Sequence, residues 1–131
     1  MRKLCSVVFV LLLLSGCTAP YATLDLQEKC AAAATNFFNN YNKVFDLQNN
    51  PYIYNYQNHY NKKLDSCYIL IHGSGVGGVS DILFNTYENK DIAECVSFSG
   101  VANMDSCEYR GSNEKYNIDK FNNFVKQYME E

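Results

Sequence analysis

The sequence has little of several residues on which many catalytic and nucleic-acid-binding proteins depend. Its 131 residues include no tryptophan, two histidines and two prolines. Positive charge is also scarce, because 11 lysines and arginines face 14 aspartates and glutamates. This acidic balance argues against nucleic acid or an anionic membrane surface as a partner. The length excludes a (β/α)₈ barrel and indicates a single domain.

The amino terminus has the pattern of an export signal. Arg2 and Lys3 form a positive start, and an apolar run follows at Val7–Leu14. About 20 apolar residues are needed to cross a bilayer, so this run is too short for a membrane span and is typical of a signal peptide. The run ends in the tetrapeptide LSGC at Leu14–Cys17, which resembles the lipobox of bacterial lipoproteins.

The lipobox resemblance implies cleavage before Cys17 and a diacylglycerol on the sulfur of that residue, which anchors the chain in a membrane. The next residue is Thr18 rather than aspartate. The resemblance therefore implies the outer membrane of the cell envelope, with the protein facing the periplasm. We predict a lipoprotein signal peptide at 1–16, a lipidated tether at 17–23 and a single small domain at 24–131.

Four cysteines remain in the domain once the signal and the lipidated residue are set aside: Cys30, Cys67, Cys95 and Cys107. An even number in an exported chain predicts two disulfide bonds, for which three pairings exist. We favour Cys30–Cys67, which would staple a helix to a sheet, and Cys95–Cys107, which would close a local loop. The alternative is a free reactive thiol. No pair has the C-x-x-C spacing of a redox site or a zinc ribbon.

Apolar periodicity predicts a helix near each end of the domain. Over 24–45 the apolar residues form one stripe at helical spacing, and Asp25 with Glu28 resembles an amino-terminal cap. Near the carboxyl terminus, Asn117 is expected to cap a helix over 118–129 that has one apolar face.

The segments between the helices predict strands. Residues 52–60 alternate tyrosine with polar side chains, and 67–72 and 95–98 are short apolar runs typical of buried strands. Residues 82–88 fit a strand or a helix, and 104–114 is polar and loop-like. We expect an α+β domain: an N-terminal helix, a small antiparallel sheet of three or four strands and a C-terminal helix, stapled by disulfides, with both helices on one face of the sheet.

Catalytic patterns in this sequence are incomplete. Gly73–Gly78 (GSGVGG) matches the dinucleotide motif G-x-G-x-x-G, but no clear helix follows it, so we interpret it as a flexible hairpin loop. His72 before these glycines is similar to an esterase oxyanion loop, yet no G-x-S-x-G elbow exists. We expect His59 and His72 to be structural. We therefore assign no catalytic, metal-binding or cofactor-binding residue.

The tyrosines between 52 and 60 are candidates for ligand contact. Tyr52, Tyr54, Tyr56 and Tyr60 share one parity of the predicted strand. Tyrosine offers a flat apolar ring with a polar tip, which suits sugar and protein surfaces. The alternative, which we favour, is that these rings cover the sheet or pack beneath a helix.

A family resemblance lies at the segment HYNKKLDSCYILI, His59–Ile71. It is similar to a group of small exported bacterial proteins, often lipoproteins, that carry the pattern HYNKKLxxC before an apolar strand. Those proteins also begin with a cysteine-containing, alanine- and phenylalanine-rich helix, as at Cys30–Phe38. They carry a turn such as Tyr87–Lys90 and end in an acidic helix with phenylalanine, as at Phe121–Glu130. The resemblance implies the architecture and no catalytic residue.

Three functions are compatible with the sequence. The first is a lipid-anchored, non-enzymatic envelope protein that binds another envelope component, with the membrane contacted through the Cys17 lipid. The second is a module that binds glycan or peptidoglycan through the row from Tyr52 to Tyr60. The third is a small envelope hydrolase, which requires a cleft that combines His59 or His72 with a carboxylate.

Overall fold

A computed structural model describes residues 19–45, 51–100, 105–112 and 115–130. The elements in chain order are helix α1 (Ala19–Val44), strands β1 (Ile53–Asn61), β2 (Ser66–Gly75), β3 (Gly78–Asn85), β4 (Lys90–Phe98), β5 (Ser106–Tyr109) and β6 (Lys115–Tyr116), and helix α2 (Ile118–Met129).

The strands form one antiparallel sheet in the order of the chain, β1-β2-β3-β4-β5-β6. The α+β class, with a helix at each end of an antiparallel sheet, is confirmed. The sheet has more strands than predicted. Residues 82–85 are in strand β3, which decides between the two predictions for that segment. Strand β5 lies inside the predicted loop 104–114, because Cys107 pairs directly opposite Cys95 and holds this polar segment against β4.

The two helices lie on opposite faces of the sheet, so the prediction of a shared face was wrong. Side chains alternate between the faces along a strand. On one face Ala34 of α1 packs on Ile69 and Ile71 of β2. On the other face Phe121 and Val125 of α2 pack with alternate residues of the strands, namely Tyr68, Leu83, Ala93, Cys95 and Cys107.

The burial of strand β2 explains why the two helices lie on opposite faces of the sheet. Residues 66–69 of β2 are buried at four consecutive positions, which means that both of its faces are covered. A strand with one exposed face would alternate buried and exposed positions instead. One helix alone could cover only one face, so each helix takes a different face.

Helix α1 begins earlier than predicted. It starts at Ala19, so residues 19–23 of the predicted tether are helical. Asp25 and Glu28 therefore lie inside the helix and do not cap it. Asp25 accepts a hydrogen bond from Lys29 Nζ at 2.7 Å, which is an exposed pair one helical turn apart. Helix α2 has the predicted bounds, and Lys120 N donates to Asn117 Oδ1 at 2.9 Å, so the predicted cap is confirmed.

Both disulfides have the favoured pairing. Cys30–Cys67 joins α1 to β2 with a Cα–Cα distance of 5.3 Å and a sequence separation of 37. Cys95–Cys107 joins β4 to β5 with a sequence separation of 12. All four cysteines are buried, and each bond lies in the hydrophobic core of one face of the sheet.

The two disulfides are expected to contribute unequally to stability. A longer closed loop removes more entropy from the unfolded chain. Replacing Cys30 and Cys67 by alanine should lower the free energy of unfolding by about 4 kcal/mol, and replacing Cys95 and Cys107 by about 3 kcal/mol. Urea denaturation of the two double variants measures both values. A larger loss for the Cys95–Cys107 pair would contradict the prediction.

Candidate functional site

An open groove lies between the carboxyl-terminal half of α1 and strands β3 and β4. Helix α1 packs mainly on β1 and β2, so it leaves part of its own face of the sheet uncovered. The resulting cavity has a volume of about 590 Å³. We call it the α1 groove and define it by its lining residues: Phe37, Asn40, Tyr41, Val44, Phe45, Ile82, Phe84, Asn89, Asp91, Glu94 and Arg110.

One side of the α1 groove is aromatic. Phe84 of β3 lies 4.9 Å from Phe37 and 5.7 Å from Tyr41, measured between ring centroids. Tyr41 also lies 4.5 Å from Phe45. Burial raises the pKa of the Tyr41 phenol, which indicates a partly desolvated environment. At the end of the helix the side chains of Val44 and Phe45 are 77% and 58% exposed.

The other side of the groove is charged. Arg110 donates from Nε to Asp91 and from Nη1 to Glu108 Oε1 at 3.1 Å. Its Nη2 lies 3.9 Å from Glu94 Oε2. The hydrogen bond to Asp91, and then the neighbouring carboxylate charges, raise the pKa of the Arg110 guanidinium. Three carboxylates thus surround one cation, and the charge of the cluster is negative.

This cluster was not predicted from the sequence, in which its carboxylates resemble scattered surface charges. The pairing of two cysteines did carry a signal for the position of two of these carboxylates. If Cys95 and Cys107 are antiparallel partners, then Glu94 and Glu108 must also be partners on the opposite face, and the structure places them so. The sequence carried no comparable signal for Arg110, which follows the end of β5.

The HYNKKL segment serves the fold. Asn61 is 2% exposed, and its Nδ2 donates to the carbonyls of Gln127 and Tyr128 at 3.0 and 3.3 Å. It therefore satisfies carbonyls at the end of α2, which have no partner within the helix. Its Oδ1 accepts from Leu64 N at 3.1 Å and shapes the β1–β2 turn.

Tyr60 in the same segment connects the turn to α1. Its backbone N donates to Gln27 Oε1 at 2.9 Å, and its phenol donates to Asp65. That hydrogen bond is the main cause that raises the pKa of Tyr60 to about 12. Asp65 has a φ of 47°, in the left-handed region that suits a tight turn. The turn thus contacts both helices.

A second cavity, of about 630 Å³, lies beside this turn. It is lined by residues of the turn and of the end of α2: Asn61, Lys62, Lys63, Leu64, Gln127, Tyr128 and Glu130. The carboxyl end of a helix carries partial negative charge, so the two lysines are placed where they stabilise α2. The residues that line this cavity have roles in the fold, and we assign no ligand to the cavity.

The tyrosine row is divided between core and surface. Tyr60 is 4% exposed, and Tyr56 lies beneath α1, with its ring 4.6 Å from Phe38 and its hydroxyl 3.0 Å from Thr35 Oγ1. The structure therefore does not form an exposed row of four rings. Tyr52 and Tyr54 remain half-buried, with ring centroids 6.2 Å apart.

The glycine run is part of the sheet rather than a long flexible loop. Gly73 and Gly75 belong to β2, and only Val76 and Gly77 form the turn. A side chain at Gly75 would come within 3.0 Å of the Tyr52 ring, and one at Gly73 within 2.6 Å of Tyr54. The glycines therefore leave room for the tyrosines of β1. Because a strand follows the run, the dinucleotide motif has no structural support.

The two histidines have different surroundings. His72 Nδ1 lies 2.6 Å from Asp81 Oδ1, across strands β2 and β3 on the α2 face. His59 is half-buried, and its Nε2 has no hydrogen-bond partner among the described residues. Neither histidine lines the two cavities described above. Within the described ranges no group of three or more histidine, cysteine, aspartate or glutamate side chains could hold a metal ion.

The predicted signal peptide and the lipid attachment site at Cys17 lie outside the described residues. In the part of the chain that the structure describes, neither helix is long and apolar enough to cross a membrane. A comparison of the chain with protein-family models, with curated proteins and with solved structures finds no match.

The amide of Asn61 is expected to be essential for stability. Asn61→Ala should lower the free energy of unfolding by about 2–3 kcal/mol, because it leaves buried carbonyls and an N–H without partners. Asn61→Asp should cost at least as much, since it loses both donor contacts and adds negative charge at the end of α2. Glu28→Ala, at an exposed position of α1 away from these contacts, is the control and should change stability by less than about 0.5 kcal/mol. Urea denaturation tests this, and wild-type stability of Asn61→Asp would contradict it.

The Tyr60–Asp65 hydrogen bond predicts a specific response to alkali. The pKa of about 12 in the folded chain exceeds the ordinary value of 10.0, so the protonated phenol stabilises the fold. This contribution is complete below pH 10 and is lost as the pH rises through 12. Tyr60→Phe should diminish the tyrosinate absorbance step near pH 12 by the contribution of one phenol, measured rapidly after mixing with alkali. Tyr116→Phe, on strand β6 at the other edge of the sheet, should leave that step unchanged. An undiminished step in Tyr60→Phe would refute the assignment.

Proposed function

We propose that this chain is a lipid-anchored cell-envelope protein that binds another envelope protein and has no enzymatic activity. The observation that carries this proposal is the α1 groove. A concave site of this size with an aromatic side and a few polar groups is the usual form of a binding site. The export pattern before Cys17 supports the location, and the buried disulfides suit an oxidising compartment.

The exposed apolar residues at the groove support binding. Val44 and Phe45 place large apolar side chains in solvent at the end of α1, although the core of the domain is well covered. Exposed apolar surface that adjoins a groove is typical of an interaction site. The adjoining charged cluster offers specificity, because ion pairs across an interface favour one partner over another.

The hydrolase alternative is weakened by the position of its residues. His72 and Asp81 form a pair of the kind that orients a general base. The pair lies on the face opposite the α1 groove and lines neither of the two described cavities. A general base must reach a bound substrate, and we assign this pair the role of a cross-strand contact.

Glycan binding is the second candidate, in a reduced form. Tyr52 and Tyr54 keep half-buried rings that lie over the glycines of β2. Two adjacent rings on a flat backbone could stack against a sugar. Tyr56 and Tyr60 contribute nothing to such a surface because they are engaged by α1 and by Asp65.

The proposed function is tested by crosslinking a tagged full-length chain in living cells, followed by purification. We expect one envelope protein to be recovered in an amount near that of the bait. Cys17→Ser removes the lipid site, and the recovery should then fall. Failure to recover any protein partner would contradict the proposal. Retention of the tagged chain on isolated peptidoglycan, with loss of retention in Tyr52→Ala, would then favour the glycan function.

A further inference from the structure

We propose that the α1 groove binds a peptide segment of the partner protein in which large apolar side chains alternate with lysine or arginine. This inference rests on the proposed function, because it names the chemistry of the protein that the groove holds. It follows from three properties of the groove: its aromatic side, its excess of negative charge and its continuity with exposed surface at the end of α1.

The aromatic side selects an apolar side chain. Phe37 and Tyr41 each pack on Phe84 at centroid distances below 6 Å, and all three rings line the cavity. Covering apolar surface stabilises a complex by roughly 25 cal/mol for each Å² removed from water. A volume of about 590 Å³ accommodates more than one side chain, so a peptide fits better than a single small group.

The charged side selects a cation. Among the described residues Arg110 is the one guanidinium beside the carboxylates of Asp91, Glu94 and Glu108, and Glu94 is the most distant of them at 3.9 Å. Glu94 therefore has the weakest contact with Arg110 and can accept an incoming cation.

The exposed end of α1 indicates a ligand longer than the cavity. Val44 and Phe45 line the groove and also extend into solvent. A segment seated in the groove would continue over these two side chains and cover them. The nearby aromatic rings offer a further contact for a lysine or arginine through their faces. A peptide with alternating apolar and basic residues satisfies all of these features together.

The test uses the full chain in discs of zwitterionic lipid and fluorescent octapeptides of defined composition. The probe alternates phenylalanine with lysine. One matched peptide has glutamate in place of lysine, and another has alanine in place of phenylalanine. We expect the probe to bind about ten-fold or more tightly than either matched peptide, because each lacks one of the two interactions. Equal binding of all three peptides, or no binding of the probe, would overturn the inference.

Variants of groove residues, compared with matched controls, test whether the probe binds in the α1 groove. Val44→Ser with Phe45→Ser should weaken probe binding about ten-fold, and Glu94→Gln about two- to five-fold. The controls are Val76→Ser, at a side chain 94% exposed on the β2–β3 turn, and Glu28→Gln on the exposed surface of α1. Both controls should bind as the wild type does. If the groove variants and the controls lose the same affinity for the probe, the inference is overturned.

The same variants separate this inference from the proposed function. If the Val44→Ser, Phe45→Ser chain still recovers the crosslinked partner at the wild-type level, the groove is not the docking site, and the proposed function stands. If no partner is recovered while the peptides bind as expected, the proposed function fails and the groove chemistry stands. The chain has its own exposed basic and apolar turn at Lys62–Leu64. Self-association that is abolished by Lys63→Glu would make a second copy the occupant and overturn the inference.

Discussion

Strand β2 is covered by a different helix on each face, and the rest of the structure is arranged around that burial. Ile69 and Ile71 require cover on one face, and Tyr68 requires it on the other. The chain meets this requirement at the β1–β2 turn. There Cys30–Cys67 fixes α1 to the strand, and Asn61 holds the end of α2. One short segment therefore positions both helices, and its polar side chains are committed to the fold.

The candidate site exists because α1 covers only part of its own face of the sheet. Helix α1 packs mainly on β1 and β2, and it contacts β3 through Phe84. Next to the end of the helix, β4 and the end of β5 present charged side chains on that face, which tolerate water. Where the helix ends, apolar and charged surfaces meet in one groove. Apolar surface in the groove is unfavourable when it is exposed to water, and a partner that covers it would remove this unfavourable exposure.

Two features that resemble enzyme motifs have structural roles. The glycine run provides space beneath Tyr52 and Tyr54, since side chains at these positions would collide with the rings. His72 pairs with Asp81 across neighbouring strands. Both features lie on strands of a regular sheet. The glycine run and the His72–Asp81 pair therefore stabilise the sheet. The groove is formed by other residues, which carry no recognisable motif.

The sequence by itself determined those elements whose periodicity and capping are strong, because these are local properties. It was sufficient for helix α2 with its Asn117 cap, for the buried strand β2 and for the two disulfide pairs. It could not assign the helices to faces, because a helical stripe shows that a helix has an apolar side and does not show which sheet face meets it. The tertiary structure alone brought Asp91, Glu94 and Arg110 to the end of α1. These residues meet because β4 pairs antiparallel with both β3 and β5. The register of such strand pairs depends on packing across the whole sheet.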